Sequence, residues 1–170
     1  MNIEKVRRAT LCYLIKNNAV NLPIKKRKVG VSFRNGYGGH IREDESPEYA
    51  TIREILEESH SKVNTRDLNP LAILRCHSRN EEGQAILYLI YVYWTKFWKG
   101  EPEETEETGL PTWFDFNHLP VNELMPADRV WLPQFFRDGV PLIVTAHYGP
   151  NQTALEKEVE IEEVSELPEE

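Results

Sequence analysis

Three glutamates occur at spacings that place their carboxylates together. Glu54, Glu57 and Glu58 lie at positions i, i+3 and i+4, so in a helix they project from one face. Three like charges this close repel one another, and a divalent cation among them would remove that repulsion. Oxygen ligands without nitrogen or sulfur favour Mg²⁺ or Mn²⁺, which also bind substrate phosphates. The triplet therefore indicates phosphate chemistry, and the alternative is an ordinary solvated helix face.

The glutamates belong to a longer pattern of fixed residues. It reads glycine, five residues, glutamate, seven residues, Arg-Glu, an apolar residue, any residue and Glu-Glu. The fixed positions here are Gly39, Glu45, Arg53, Glu54, Ile55, Glu57 and Glu58. The segment from Gly39 to Glu58 resembles the Nudix box, the signature of the Nudix hydrolases. The chain departs from that pattern just after it, where His60 and Ser61 replace the usual glycine and apolar residue.

The resemblance implies a role for each conserved position of the box pattern. Glu57 and Glu58 are expected to be catalytic, together with Arg53, which would orient a carboxylate through a bidentate pair with Glu45. Magnesium would bridge the diphosphate oxygens and lower the pKa of the attacking water. The residues expected to hold the metal are the carbonyl of Gly38, Glu54, Glu57, Glu58 and Glu107, with Glu104 and Glu106 as competitors of Glu107.

Segments outside the box extend the resemblance over most of residues 6–160. They are Arg8-Ala-Thr-Leu-Cys, Asn35-Gly-Tyr-Gly-Gly, Met125-Pro-Ala-Asp and Trp131-Leu-Pro. This order is similar to the MutT-like branch of oxidised purine nucleoside triphosphatases, the 8-oxo-dGTP diphosphatases. That branch implies hydrolysis of a purine nucleoside triphosphate to the monophosphate and pyrophosphate. The implied substrate-binding residues are Thr10, Leu11, Lys25, Asn35, Met125 and Asp128.

One motif of that branch is altered, which leaves the substrate open. The branch has Trp-Pro-Asp-Asp where this chain has Met125-Pro-Ala-Asp, so one acid that reads the base is replaced by Ala127. Nucleotide sugars, dinucleoside polyphosphates and RNA 5′ ends are alternative substrates. A non-catalytic Nudix-fold binding domain is a further alternative, although such domains usually lose box glutamates.

The residues outside the box also have purely structural interpretations. Asn35 before a glycine is a common turn pair, and Asp128 could cap a helix that starts near residue 130. Met125 could belong to the core, and Lys25 could lie on an exposed strand edge, where its charge would oppose aggregation.

Hydrophobic patterning and turn residues predict the elements that carry these residues. Ser46 as N-cap and Pro47 start a helix that runs to about Ser59, with Ile52, Ile55 and Leu56 on its inward face. A second helix is predicted over 130–137, ended by Gly139. Strands are predicted over 8–15, 22–26, 71–76, 85–97, 113–116, 141–148 and 154–161.

These elements predict an α+β domain, and the resemblance implies the Nudix fold, a mixed β-sheet sandwiched between α-helices (α/β/α). We expect one domain over 1–163 and an acidic, flexible tail over 164–170. The length of 170 residues suits a single domain. The tail carries Pro168 and several glutamates.

Charge and composition restrict the partners. The formal net charge of −8 argues against a nucleic-acid partner. No apolar signal core follows Met1 to Arg8, and no apolar run is long enough to cross a membrane. Cys12 and Cys76 lack metal-ligand spacing and are expected to be reduced. We therefore expect a cytoplasmic enzyme, a monomer or homodimer, that binds a small nucleotide.

Overall fold

The central strand β1 (Lys5–Lys16) divides its side chains between two apolar cores. Leu11 and Tyr13 pack into the first core, and Cys12 and Leu14 pack into the second. Successive side chains of a strand point to opposite faces, so this apolar run has to be covered on both sides. The computed structural model describes residues 4–169. Residues 1–3 of the expected domain and residue 170 of the expected tail lie outside that range.

Eight strands form one mixed sheet around β1. The others are β2 (Ala19–Asn21), β3 (Tyr37–His40), β4 (Asn69–Arg79), β5 (Ala85–Thr95), β6 (Trp113–Asp115), β7 (Leu142–His147) and β8 (Glu160–Glu163). Their order is β6-β2-β1-β5-β4-β7-β8, and β3 also pairs with β1. The pairs β1–β5 and β4–β7 are parallel, and the remaining pairs are antiparallel.

Two helices cover the two faces of this sheet. α1 (Pro47–Ser59) contributes Ala50 and Ile55 to the second core. α2 (Asp128–Asp138) contributes Trp131 and Leu132 to the first. The expected mixed sheet between helices is confirmed. Within residues 4–169, no helix is long and apolar enough to cross a membrane.

The ends of α1 follow from its flanking residues. The Ser46 hydroxyl accepts a hydrogen bond from the Tyr49 amide at 3.1 Å, which caps the first turn. His60 closes the other end in the left-handed region, with φ of 64°, and its amide donates to the Leu56 carbonyl. A glycine would adopt this conformation more easily. α1 therefore ends in the usual left-handed conformation, although His60 occupies the position where the box pattern has glycine.

Four details of the predicted elements are wrong. The strand expected at 22–26 is displaced to β2, because Pro23 lacks an amide donor and Lys25 and Lys26 bond to loop carbonyls instead. Leu56 is 42% exposed, since the buried face of α1 runs through Ile55 and turns Leu56 outward. The strand expected at 154–161 is mostly irregular before β8, and α2 begins two residues earlier than expected.

Within the expected tail, Leu167 packs against the second core.

Candidate active site

The glycines before α1 bring the backbone of β3 unusually close to its neighbours. A Cβ on Gly38 would lie 2.0 Å from the Thr10 carbonyl oxygen, and one on Gly39 would lie 2.7 Å from the Glu54 carboxylate. Real Cβ atoms do not approach other atoms this closely, so Gly38, which faces backbone, requires glycine, whereas a side chain at residue 39 would displace the Glu54 carboxylate. This contact sets β3 directly against β1 and against the carboxylates of α1.

Glu58 is anchored at this glycine strand. Its Oε1 accepts a hydrogen bond from the Gly38 amide at 2.7 Å, and the residue is only 4% exposed. Burial raises the pKa of Glu58 to about 7, and neighbouring Glu54 and Glu107 raise it too. The Gly38 amide and the Lys25 ammonium act in the opposite direction. Burial therefore makes the Glu58 carboxyl hold its proton more tightly than an exposed glutamate does.

Arg53 organises the other carboxylates of the box. Its guanidinium makes a bidentate pair with Glu45, with distances of 2.6 and 2.8 Å. These hydrogen bonds hold the pKa of Glu45 at about 2 and raise that of Arg53. Nη1 of Arg53 also donates to Glu54 at 2.9 Å and to Glu57 at 3.3 Å, and Nη2 donates to the His40 carbonyl. The expected Arg53–Glu45 pair is present and fixes both side chains.

The acidic loop after β5 is tied to the end of α1. The hydroxyls of Thr105 and Thr108 donate to the Glu58 carbonyl at 3.0 and 2.7 Å, and the Glu103 amide donates to the Ser59 carbonyl. These bonds satisfy carbonyls that a helix end otherwise leaves without partners. They also carry Glu107 close enough to Glu58 to raise its pKa.

A cleft of about 960 Å³ opens above this cluster. Its lining includes the helix glutamates and the acidic loop, and also basic and apolar residues. The sequence-predicted residues that line it are Thr10, Leu11, Lys25, Asn35, Gly38, Glu54, Glu57, Glu58, Glu107 and Met125. Burial lowers the pKa of Lys25 within this cleft. The volume lies within the range of small-molecule sites, roughly 300–1,000 Å³.

Several of these side chains already have partners. The Thr10 hydroxyl meets that of Thr51 on α1, so it faces the helix. Asn35 Oδ1 accepts hydrogen bonds from the Tyr13 hydroxyl at 3.1 Å and from the following amide at 2.8 Å, and its side-chain amide nitrogen has no acceptor within residues 4–169. All three loop glutamates are paired with basic side chains: Glu104 with Lys26 at 2.8 Å, and Glu106 and Glu107 with Arg27 at 3.4 and 3.5 Å.

Asp128 is placed differently from the other expected ligand residues. It is 6% exposed, and its Oδ1 accepts a hydrogen bond from the Trp131 indole at 2.9 Å. It is the first residue of α2 and does not cap it, because the N-cap position is Ala127. Burial raises the pKa of Asp128 to about 6. Asp128 is not one of the described residues that line the cleft.

The carboxylates of α1 suit a hard divalent cation by their chemistry. Glu54 and Glu58 are buried, while Glu57 lies nearer the opening with its side chain 50% exposed. All of their donor atoms are oxygens, as Mg²⁺ and Mn²⁺ require. No three acidic, histidine or cysteine side chains in residues 4–169 converge on one point. Arg53 instead bridges Glu54 and Glu57.

Sequence reasoning missed several cleft residues. Gln152, Tyr88 and His60 all line it. Tyr88 stands opposite Arg7 in the parallel β1–β5 register, so alternation along the predicted strands could have found it. Gln152 sits in an irregular turn far from the box in sequence, and no local pattern marks it. His60 was noticed only as a helix end.

The geometry defines a class of enzyme, and comparison with known proteins gives the same class. Residues 5–135 match the NUDIX domain. The chain belongs to the Nudix family and is a hydrolase that acts on pyrophosphate bonds.

Named relatives narrow the branch of the family. The oxidized purine nucleoside triphosphate hydrolases of Danio rerio and Mus musculus are 32% and 33% identical to this chain over 124 residues. Each alignment covers 73% of this chain and 76% of the relative. The mutator MutT protein of Bacillus halodurans shares the fold, with a TM-score of 0.75 at 20% identity. That match covers 91% of this chain and 97% of the other.

Proposed function

We propose that the protein hydrolyses a purine nucleoside triphosphate, normal or oxidised, to the monophosphate and pyrophosphate in a Mg²⁺-dependent reaction. The observation that carries this proposal is the buried Glu58, held by the Gly38 amide beside Glu54 at the base of a nucleotide-sized cleft. The names of the Danio rerio and Mus musculus relatives support the substrate class. Asn35, with its amide nitrogen turned to no other acceptor within residues 4–169, is suited to a purine edge.

The proposed metal ligands are carboxylates of α1, a backbone carbonyl and one loop glutamate. A bound Mg²⁺, or Mn²⁺ in its place, would neutralise phosphate charge and lower the pKa of the attacking water. The set comprises Gly38, Glu54, Glu57, Glu58 and Glu107. Substrate binding would displace water from the cleft and strengthen every electrostatic contact in it.

The chain's own groups have distinct proposed tasks. Arg53 and Glu45 orient the carboxylates, since their bidentate pair leaves neither side chain free to rotate. Lys25 lies near Glu58 and attracts the phosphates into the cleft. Glu58 has one oxygen on the Gly38 amide, and its other oxygen, Oε2, can receive the proton of the attacking water.

The placement of Asp128 favours a second candidate, a Nudix hydrolase of another nucleotide. Asp128 bonds to Trp131 and lies outside the cleft lining, and Ala127 supplies no second acid. A site that reads oxidised purines needs polar groups at the base edge, because unsatisfied polar groups cost binding energy. Nucleotide sugars, dinucleoside polyphosphates and RNA 5′ ends are the alternatives.

A substrate panel with product identification separates these candidates. The wild type is incubated with dGTP, 8-oxo-dGTP, UDP-glucose and a diadenosine polyphosphate, with Mg²⁺, and the products are resolved by chromatography. We expect pyrophosphate and the monophosphate from a purine triphosphate. Glu58→Gln should strongly reduce this turnover, whereas its matched control Glu43→Gln, which changes an exposed glutamate two residues before Glu45, should leave turnover intact. Preferred cleavage of UDP-glucose or the dinucleotide would select the second candidate.

The remaining expectations are part of the same proposal. The enzyme works in the cytoplasm, as a monomer or homodimer, on a small nucleotide and without a stable nucleic-acid partner. Its catalytic domain is 1–163, followed by the acidic tail 164–170. Size-exclusion chromatography with light scattering measures the oligomeric state, and a truncation after residue 163 tests the domain boundary through its thermal unfolding.

A further inference from the structure

Gln152 is a polar residue buried at the edge of the cleft. It ends the short 3₁₀ turn Pro150–Gln152 that follows β7, and it is only 7% exposed. Burying an amide is unfavourable unless hydrogen bonds replace those it made to water. A glutamine in this position therefore calls for a partner.

Within residues 4–169, the side-chain amide of Gln152 makes no hydrogen bond. In the same part of the chain, no fully buried polar side-chain atom is left unsatisfied. The amide atoms are therefore still accessible. The residue is 7% exposed and lines the cleft, so a ligand bound in the cleft can reach it.

The backbone holds this side chain in a fixed and strained conformation. Asn151 and Gln152 have φ of 60° and 55°, in the left-handed region that non-glycine residues rarely adopt. The turn is fastened by the Gly149 amide, which donates to the Ala154 carbonyl at 2.9 Å, and by the Gln152 amide, which donates to the Gly149 carbonyl at 3.2 Å. Strain of this kind persists where the surrounding structure imposes it, often at ligand sites.

The turn lies several strands away from the glutamates, measured along the strand order of the sheet. It packs against β4, whereas α1 packs against β3. The strands run β3, β1, β5, β4 in the sheet, and three inter-strand spacings span about 14 Å. The carboxylates of α1 and Gln152 therefore line the same cleft with β1 and β5 between them, so a nucleotide that spans the cleft with its phosphates at α1 would place its base near Gln152.

We infer that Gln152 is a specificity-determining residue that hydrogen-bonds the base of the nucleotide, an inference that rests on the proposed function. A glutamine amide donates two hydrogen bonds and accepts through its oxygen. Purine edges present donors and acceptors side by side, and glutamine binds such edges in a bidentate manner. Asn35 lines the same cleft from the β3 side, so the two amides contact the base from different elements.

Binding without metal or turnover tests this role directly. Gln152→Met keeps the length of the side chain and removes its hydrogen bonds, and Gln84→Met makes the same change at an exposed turn outside the cleft. Calorimetry measures binding of dGMP and of ribose 5-phosphate, which has no base. We expect Gln152→Met to weaken dGMP binding roughly three- to tenfold and to leave ribose 5-phosphate unchanged. Gln84→Met should bind both like the wild type.

Every other pattern of binding contradicts the inference. Equal losses for both ligands, no loss for dGMP, or no dGMP binding by the wild type would each overturn it. If Gln152→Met fails to fold in a thermal melt, Gln152→Asn, with its amide one carbon shorter, carries the same test. Wild-type activity on the triphosphate panel is measured separately. If the wild type hydrolyses no triphosphate of the panel, but Gln152→Met still binds dGMP more weakly than the wild type, the proposed function is refuted and the base contact is not.

Discussion

The buried carboxyl of Asp128 gives a stability prediction with a definite sign. Burial raises its pKa from the ordinary 3.8 to about 6, although the Trp131 indole favours the charged form. The folded state therefore binds this proton more tightly than the unfolded state. As pH rises from 4 to 7, the wild type must lose stability relative to a variant that cannot ionise there. Asp128→Asn is that variant, and its Oδ1 can still accept from Trp131.

The magnitude follows from the size of the shift. Each pKa unit corresponds to about 1.36 kcal/mol, so a change from 3.8 to about 6 gives at most about 3 kcal/mol. Urea unfolding at constant ionic strength, followed by tryptophan fluorescence, gives the free energy of unfolding of both proteins at each pH. The difference between them cancels the other titrating groups. It should grow in favour of Asp128→Asn up to about pH 7 and then level off.

A matched exposed residue controls for the substitution itself. Asp44 is exposed, and Asp44→Asn should differ from the wild type by a near-constant amount, within about 0.5 kcal/mol. A difference for Asp128→Asn that stays flat with pH would show that Asp128 is not buried as described. A difference that shifts in favour of the wild type as pH rises would mean that folding lowers the pKa of Asp128, which contradicts the prediction.

Three further substitutions test the site around α1. Glu58→Gln should lower kcat about 10²- to 10⁴-fold without lowering the melting temperature, because burial already disfavours its charge; unchanged kcat would exclude Glu58 from catalysis. Arg53→Lys keeps the charge but loses the bidentate pair, so the free energy of unfolding measured in urea should fall by about 1.5–3 kcal/mol. An unaltered midpoint of urea unfolding would contradict this prediction. Gly38→Ala should destabilise by about 1–3 kcal/mol, while Gly109→Ala, whose added Cβ would meet nothing closer than 3.4 Å, should differ little in a thermal melt.

The box and its helix could be predicted from the sequence because their rules are local. The N-cap at Ser46, the proline after it and the spacing of the glutamates each act within a few residues. The pairing of Arg53 with Glu45 was likewise predictable, since the box fixes both positions. The strand order was not, because the parallel β1–β5 pair joins segments about 80 residues apart.

The turn that carries Gln152 to the cleft could not be predicted from the sequence. Gln152 reaches the cleft through a left-handed turn whose geometry depends on contacts with β4. Asp128 was expected to contact the substrate or to cap a helix, yet its position is set by its bond to Trp131 in the core. Tertiary packing decides which side of the first helical turn is buried, and the local sequence does not show this.

The position of the cleaved bond is the most direct test of the central claim, that the carboxylates of α1 serve hydrolysis of a nucleoside triphosphate to the monophosphate and pyrophosphate. The wild type is incubated with the best triphosphate of the panel and Mg²⁺ in ¹⁸O-labelled water, and the products are analysed by mass spectrometry. We predict a nucleoside monophosphate and intact pyrophosphate, with one ¹⁸O in one of them, and turnover by Glu58→Gln that is about 10²- to 10⁴-fold slower. Release of inorganic phosphate and a diphosphate, or equal turnover by Glu58→Gln, would contradict the account.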